Sequence, residues 1–342
     1  MNSHKRLSRF LIDDSLVHHP IIRDVLSYCR LLPVEWFTER DGHSLQSSRS
    51  RAHRSVVITR NPGLFFKSMD TSGTASEPER AGRYRFEMLQ GCPGRCLYCF
   101  CRCYLDTRQP HVFLNIEDAK REKRPGIKNR LVTGDIADSL ALGPLSLLVH
   151  EYAATCLPDS CFELRSKFAL PPGWLRLDPR RFRLDWSLSP RQAIRSFEPG
   201  TDPLDSRLDS IAKAVQAGFP VGLRLDPIQS YISDDPSYCD LVREIGTRMR
   251  GWTPEAIVLG AYKLTPELRR LILKSSPSSE INKLEWTLCE DAKYRPSRAL
   301  RIPTYRKLID LIDSSFPGVQ IQLSMEPEWV WSLFPRCRQE SD

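Results

Sequence analysis

The sequence predicts an α/β protein, a partial (β/α)6-type barrel with an N-terminal α/β extension. Three observations carry that prediction. From Tyr84 onward, short candidate strands alternate with segments of helical pattern, which implies a parallel sheet. About six or seven such units follow one another, enough to curl into a full or partial barrel. The chain has 342 residues, and α/β barrels occupy roughly 200 to 250 residues as one unit, which leaves room for an extension.

Residues 1–80 form the expected extension, 81–335 the barrel with its C-terminal elements, and 336–342 a tail. Within the extension, Phe10 to Leu32 has helical periodicity around Val17, Ile21, Ile22, Val25 and Leu26, and Ser55 to Thr59 is a β-branched run that reads as a strand. His43 to Arg54 is rich in serine and arginine, and Met69 to Arg80 in Ser, Thr, Gly and Glu; both read as surface loops. Barrel strands are expected at Arg85 to Leu89, Arg130 to Thr133, Cys161 to Ser166, Arg181 to Ser187, Val221 to Asp226, Ala256 to Leu259 and Val319 to Ser324. Leu204 to Ala217 is the clearest helix: Leu204, Leu208, Ile211, Ala212 and Val215 share one face, and Gly218 is its stop.

The hydrophobic share of 41% is ordinary for a globular protein. No stretch approaches the roughly eighteen apolar residues of a bilayer span, so no membrane partner is expected. A net charge of +8 favours an anionic partner, with nucleic acid the natural candidate. The basic residues are spread rather than gathered into a tail, so a solvated basic surface is the alternative. Eleven cysteines without a targeting segment point to a reducing cytoplasm. Cys29, Cys156, Cys161, Cys239, Cys289 and Cys337 are scattered and read as small buried hydrophobes.

The other five lie between Cys92 and Cys103. Cys92, Cys96 and Cys99 form a C-x3-C-x2-C triplet on a glycine-containing loop just after the first barrel strand. That places the loop at the C-terminal end of the strands, where barrels carry their reactive residues. Three thiolates on one tight loop can hold three corners of a cubic iron-sulfur cluster and leave the fourth iron open to a cofactor. Zinc is the competing occupant: Cys96/Cys99 is a C-x2-C pair, and Cys101 and Cys103 could complete such a site or join a second cluster. By spacing alone the five cysteines leave this open. A disulfide framework is disfavoured, since such frameworks belong to small secreted domains.

The triplet resembles the signature of the radical S-adenosylmethionine (SAM) enzymes. Gly91 to Phe100, followed by Pro110-His111-Val112-Phe113-Leu114-Asn115, is similar to the cluster segment of the spore photoproduct lyase family. A second match lies in Trp186 to Ser189, Phe197-Glu198-Pro199-Gly200-Thr201, Leu204 to Leu208 and Ala217 to Gly222. The resemblance covers roughly residues 8 to 335. It implies that Cys92, Cys96 and Cys99 bind a [4Fe-4S] cluster, and that an electron from it cleaves SAM to a 5'-deoxyadenosyl radical that abstracts a hydrogen atom. Such chemistry belongs to the cofactor, and the protein positions and shields it. It also implies a small electron donor such as ferredoxin or flavodoxin. Lys167 and Ser187, at the ends of the third and fourth barrel strands, match positions that contact SAM; an ordinary surface lysine and a backbone-satisfied hydroxyl are the alternatives. Thr133-Gly134-Asp135 stands where the family receives the SAM amino group, unless it is a simple turn with an aspartate cap.

Two departures bear on activity. The lyase has a hydrogen-donating cysteine just before the equivalent of Thr133, and here that position is Val132. Of two tyrosines that relay the radical, Tyr98 keeps the first while the second is Phe100. The resemblance therefore implies a lyase-like branch rather than a true lyase. Tyr98 remains a catalytic candidate, and Cys101 or Cys103 could replace the lost donor. Tyr294, Arg295 and Glu326 are expected at the barrel mouth, and Trp329 and Trp331 as packing residues. The expected function is a radical SAM enzyme acting on DNA or a pyrimidine derivative. The alternatives are an enzyme for a small metabolite or peptide, and a cluster-containing binding protein without lyase activity.

Overall fold

The computed structural model describes residues 7–30, 32–38, 55–68, 83–105, 109–122, 130–231 and 235–339. The two loops expected at His43 to Arg54 and Met69 to Arg80 lie outside these residues. In chain order the first strands are β1 (Arg9–Asp13), β2 (Val34–Phe37), β3 (Ser55–Thr59), β4 (Phe66–Ser68), β5 (Arg83–Phe86), β6 (Leu89–Gln90) and β7 (His111–Phe113). They are followed by β8 (Arg130–Thr133), β9 (Cys161–Ser166), β10 (Phe182–Ser187), β11 (Val221–Leu225), β12 (Ala256–Leu259), β13 (Trp286–Leu288), β14 (Tyr294–Pro296), β15 (Gln320–Leu323) and β16 (Arg338–Gln339).

A nine-stranded sheet runs β16-β15-β12-β11-β10-β9-β8-β5-β4, parallel throughout except where β4 meets β5. It is the expected partial barrel. Helices cross back between its strands, among them Pro144–Cys156 between β8 and β9 and Leu204–Gln216 between β10 and β11. The second helix ends one residue before the position set by its apolar stripe, and Gly218 follows with φ 81°.

The N-terminal sheet has the order β2-β1-β3-β7-β6. The division expected at residue 80 is crossed in both directions: β4 joins the barrel sheet, and β6 and β7 join the N-terminal one. The helical reading of Phe10 to Leu32 is corrected. Phe10 to Asp13 belong to β1, and the helix is confined to Ile22–Cys29. β1 lies between β2 and β3 in parallel pairing, with Leu11 and Ile12 both buried. A strand covered on both faces has a continuous apolar run, which imitates a helix face.

Strand alternation sorts the barrel sheet into two chemistries. The outer face carries Leu131, Phe162, Leu164, Leu184, Trp186, Leu223, Ile257 and Ile321, all buried in the main core. The inner face is polar. In register across it stand Arg85, Val132 and Glu163, with Arg165, Arg183, Asp185 and Arg224 on the neighbouring strands. Glu163 meets Arg83 at 3.0 Å, Arg130 at 2.8 Å and Arg165 at 3.0 Å. Asp185 meets Arg183 at 2.8 Å. Asp226 meets Lys263 at 3.0 Å and Arg224 at 3.2 Å.

Candidate functional site

The cysteine loop leaves β6 at the C-terminal end of the barrel and is fixed by its backbone. Gly91 N–H donates to the Ile136 carbonyl at 2.8 Å, Arg95 N–H to Pro199 at 2.7 Å, and Leu97 N–H to Phe197 at 2.8 Å. Residues after β8 and at and just beyond the end of the helix Arg191–Phe197 therefore clasp the loop from two sides. Gly200, at φ 89°, allows that approach: a Cβ there would lie 3.3 Å from the Pro93 carbonyl.

Burial pushes the Cys92 thiol well above its ordinary range, with Asp138 and Cys96 adding to the shift. Burial also pushes Cys96 up to about 12, helped by Glu198 and partly opposed by Lys167. Thiols in such surroundings ionise against the compensating charge of a bound metal. Gly94 N–H points at Cys92 Sγ at 3.3 Å, the kind of contact that stabilises a ligating sulfur. The donor set fits an iron-sulfur cluster held through three thiolates. Among the described residues, no three His, Cys, Asp or Glu side chains are grouped so as to hold a single metal ion. All eleven cysteines are free of disulfides.

Tyr98 turns into a buried polar network. Its hydroxyl donates to Glu198 Oε1 at 2.5 Å, and Ser189 Oγ and Gln229 Nε2 donate to the same oxygen at 3.1 Å each. The other carboxylate oxygen meets Arg207 Nη2 at 2.7 Å, both side chains fully buried. Arg207 also donates to the carbonyls of Asp202 and Ser187. Burial opposes the charge on Glu198, but Arg207, Lys167 and the Tyr98 hydroxyl outweigh it and hold the carboxyl at about 2. Burial, reinforced by Glu198, raises the Tyr98 phenol well above its ordinary value. The Tyr98 ring contacts Tyr262 at 5.7 Å, and Lys167 Nζ lies 5.8 Å from its centroid.

The Thr133-Gly134-Asp135 turn divides its labour. Thr133 Oγ1 faces outward to Ser139 Oγ at 2.7 Å and His150 Nε2 at 3.2 Å. What Thr133 offers the site is its backbone. Gly134 has φ 93°, and a Cβ there would come 2.5 Å from the Arg165 carbonyl. Asp135 is ion-paired to Arg165 at 2.8 Å. Lys167 and Ser187 stand at the inner ends of β9 and β10, as expected. Asp138 links these parts: it accepts from Ser166 Oγ and from Lys167 N–H, both at 2.7 Å. Cys101 is buried, with Sγ 3.9 Å from the Asp135 carbonyl. Val132 is fully buried on the inner face between Arg85 and Glu163.

Near the C-terminus, Arg295 is spent on Asp291 at 2.7 and 2.8 Å and on the Met325 carbonyl at 2.7 Å. Glu326 is engaged by Tyr305 at 2.7 Å and Arg301 at 3.0 Å. Tyr294 lies under Arg269 at 4.7 Å. Trp331 Nε1 donates to the Glu326 carbonyl, whereas Trp329 is exposed beside Arg298. Glu198, Arg207, Gln229 and Asp138 were not singled out from the sequence as site residues. The available signal was position, since Glu198 and Arg207 sit inside the matched segments and Asp138 three residues beyond Asp135.

An open parallel barrel with a three-cysteine loop at the C-terminal end of its strands resembles the partial barrel of the radical SAM proteins. The spore photoproduct lyase family model matches residues 175–307. A curated spore photoproduct lyase of Bacillus subtilis (strain 168) is 21% identical over 262 residues, covering 71% of this chain and 76% of the relative. A solved spore photoproduct lyase mutant with a dinucleoside spore photoproduct superposes with a TM-score of 0.74 at 19% identity, over 92% of this chain and 98% of that one. A double mutant with bound AdoMet and the same dinucleoside gives a TM-score of 0.74 at 17% identity over the same shares. The chain resembles the spore photoproduct lyase family of radical SAM proteins, at an identity that fits a lyase-like branch.

Proposed function

We propose that this protein is a radical SAM enzyme that binds a [4Fe-4S] cluster through Cys92, Cys96 and Cys99 and acts on DNA or a pyrimidine derivative. The observation that carries the reading is the cysteine loop, clasped by backbone hydrogen bonds at the barrel mouth with Cys96 buried and Cys92 and Cys99 half-buried. When bound, the cluster supplies the electron that cleaves SAM to a 5'-deoxyadenosyl radical. The chain's own residues do the rest. The Thr133-Gly134-Asp135 turn would receive the SAM amino group, and Lys167 and Ser187 would contact SAM from the ends of β9 and β10. The Glu198 network fixes Tyr98 within the loop, between Cys96 and Cys99. Polar inner-face side chains orient the substrate, and the barrel wall keeps water from the reacting atoms.

Val132 and Phe100 favour a reaction whose ending differs from that of the lyase, because neither carries an exchangeable hydrogen. An enzyme for a small metabolite or peptide is the second reading that this pair supports. The net charge of +8 supports a nucleic-acid substrate. Eleven cysteines, none in a disulfide, support a reducing cytoplasm, and the cluster reading implies a ferredoxin- or flavodoxin-type electron donor. No helix among the described residues is long and apolar enough to cross a membrane.

Anaerobic reconstitution with iron and sulfide, followed by reduction with SAM present, tests the reading. About four irons per chain and release of 5'-deoxyadenosine are expected. Cluster-loaded, reduced protein that makes no 5'-deoxyadenosine with DNA or a dinucleoside would overturn the nucleic-acid reading and leave the small-metabolite and binding-protein alternatives standing.

A further inference from the structure

A reaction that leaves a carbon-centred radical on its substrate needs a hydrogen-atom donor to end it. The suitable groups in proteins are thiols and phenols, whose S–H and O–H bonds are weaker than most C–H bonds. Around the barrel mouth the candidates differ in what they already do. Tyr98 commits its hydroxyl to Glu198. Cys101 is buried against the Asp135 carbonyl. Cys103 is half-buried, and burial raises its thiol, with Glu267 adding to the shift.

Tyr104 is placed differently. The single helical turn Cys101–Tyr104 follows the cysteine loop and brings its ring over Phe100 at 5.7 Å. The ring is 55% exposed. Arg85 Nη2 donates to the Tyr104 hydroxyl at 3.3 Å, and the guanidinium lies 5.8 Å from the ring centroid. Arg85 is itself fixed by Glu87 at 2.6 Å and is the direct strand partner of Val132. An exposed phenol is thus tethered to the inner face beside the one strand position where the sequence has lost a thiol. Because the guanidinium donates, it occupies a lone pair of the phenol oxygen and does not consume the hydroxyl hydrogen.

We propose that Tyr104 is the terminal hydrogen-atom donor of the reaction, held in place by Arg85; this rests on the radical SAM reading above. The phenol O–H breaks and a C–H bond forms on the substrate radical, leaving a Tyr104 phenoxyl radical. One electron from the low-potential donor that also serves the cluster, and one proton from solvent, restore the phenol. The adenosyl hydrogen is not returned, so one SAM is consumed for each product.

The test uses cluster-loaded protein reduced by dithionite with SAM in D2O, with and without dinucleoside spore photoproduct, monitored by mass spectrometry and electron paramagnetic resonance. Wild-type protein should place one solvent deuterium in the product, or in 5'-deoxyadenosine when substrate is omitted. It should show a tyrosyl signal that narrows on ring-deuteration of tyrosine. Tyr104→Phe should lose both the deuterium and the signal while keeping its iron content and circular dichroism. Deuterium that survives in Tyr104→Phe and disappears in Tyr98→Phe or Cys101→Ala would overturn the assignment alone. Absence of 5'-deoxyadenosine from the wild type would overturn the radical SAM reading and this proposal with it.

Discussion

Glu198→Gln preserves the shape of the most deeply buried charged network while removing its negative charge. Arg207 would then keep its backbone acceptors but lose the carboxylate that meets it at 2.7 Å, with both side chains fully buried. The carboxyl is held at about 2 against its ordinary 4.5. At 1.36 kcal/mol per pH unit that preference for the ionised form corresponds to about 3 kcal/mol. Removing one partner of a buried pair costs roughly 3 to 5 kcal/mol in general, so the two estimates agree. Against a total stability on the order of 5 to 15 kcal/mol the loss is large. Urea unfolding of wild type and variant should therefore differ by about 3 kcal/mol at neutral pH. The folded-state value lies below the unfolded one, so this stabilisation is complete above 4.5 and is lost as the pH falls toward 2. The gap between the two proteins should narrow on acidification through that window. A difference under about 1 kcal/mol at pH 7, or one that does not shrink in acid, would refute the assignment of Glu198 as an ionised anchor.

Iron and sulfide analysis after reconstitution should find Cys92→Ala, Cys96→Ala and Cys99→Ala depleted, with Cys101→Ala and Cys103→Ala at wild-type iron; loss of iron in either of the last two would sink the three-cysteine assignment. Gly134→Ala should cost more than Gly218→Ala although both have positive φ, because the new methyl meets the Arg165 carbonyl at 2.5 Å in one case and nothing within 4 Å in the other. Gly218→Ala is expected to cost roughly 1 to 2 kcal/mol of strain, and equal shifts in urea midpoint would contradict the close approach at 134. His150 is buried, and burial lowers it to about 4 from 6.5, the Ser146 carbonyl opposing the shift. The unfolded chain therefore takes up a proton first, and stability falls between pH 6.5 and 4 by at most about 3 kcal/mol. Thermal unfolding of His150→Gln across that range should be flatter than wild type; parallel profiles would count against a neutral buried imidazole.

Most of the barrel was legible because its strands are short apolar runs separated by helical segments. The N-terminal sheet was not. Phe10 to Ile12 is apolar without alternation, and Val34–Phe37 is a strand chiefly because β1 supplies its register. Cysteine spacing located the loop, since three ligands on eight residues are a local feature. The Glu198 network is not local: Gln229 Nε2 reaches the Tyr98 hydroxyl across 131 positions of sequence. Thr133 teaches the finer lesson. As part of the Thr133-Gly134-Asp135 turn it is expected to serve a cofactor through the turn's backbone, and the two-residue period of β8 accordingly sends its side chain outward to His150 and sends Val132 inward.

The inner wall of the barrel has a consequence for how a ligand is recognised. Because Glu163, Asp185 and Asp226, together with Glu87, Asp135 and Glu255, answer the arginines and lysine around them, that wall is a mosaic of dipoles rather than a bare positive surface. The field of matched pairs decays faster with distance than that of a lone charge. For the proposed nucleic-acid substrate, long-range capture would then fall to basic residues outside the barrel, where added salt screens it. Discrimination inside depends on hydrogen-bond geometry, which salt touches little. Capture and selection are separated in space, and ionic strength should weaken the first while leaving the second almost unchanged.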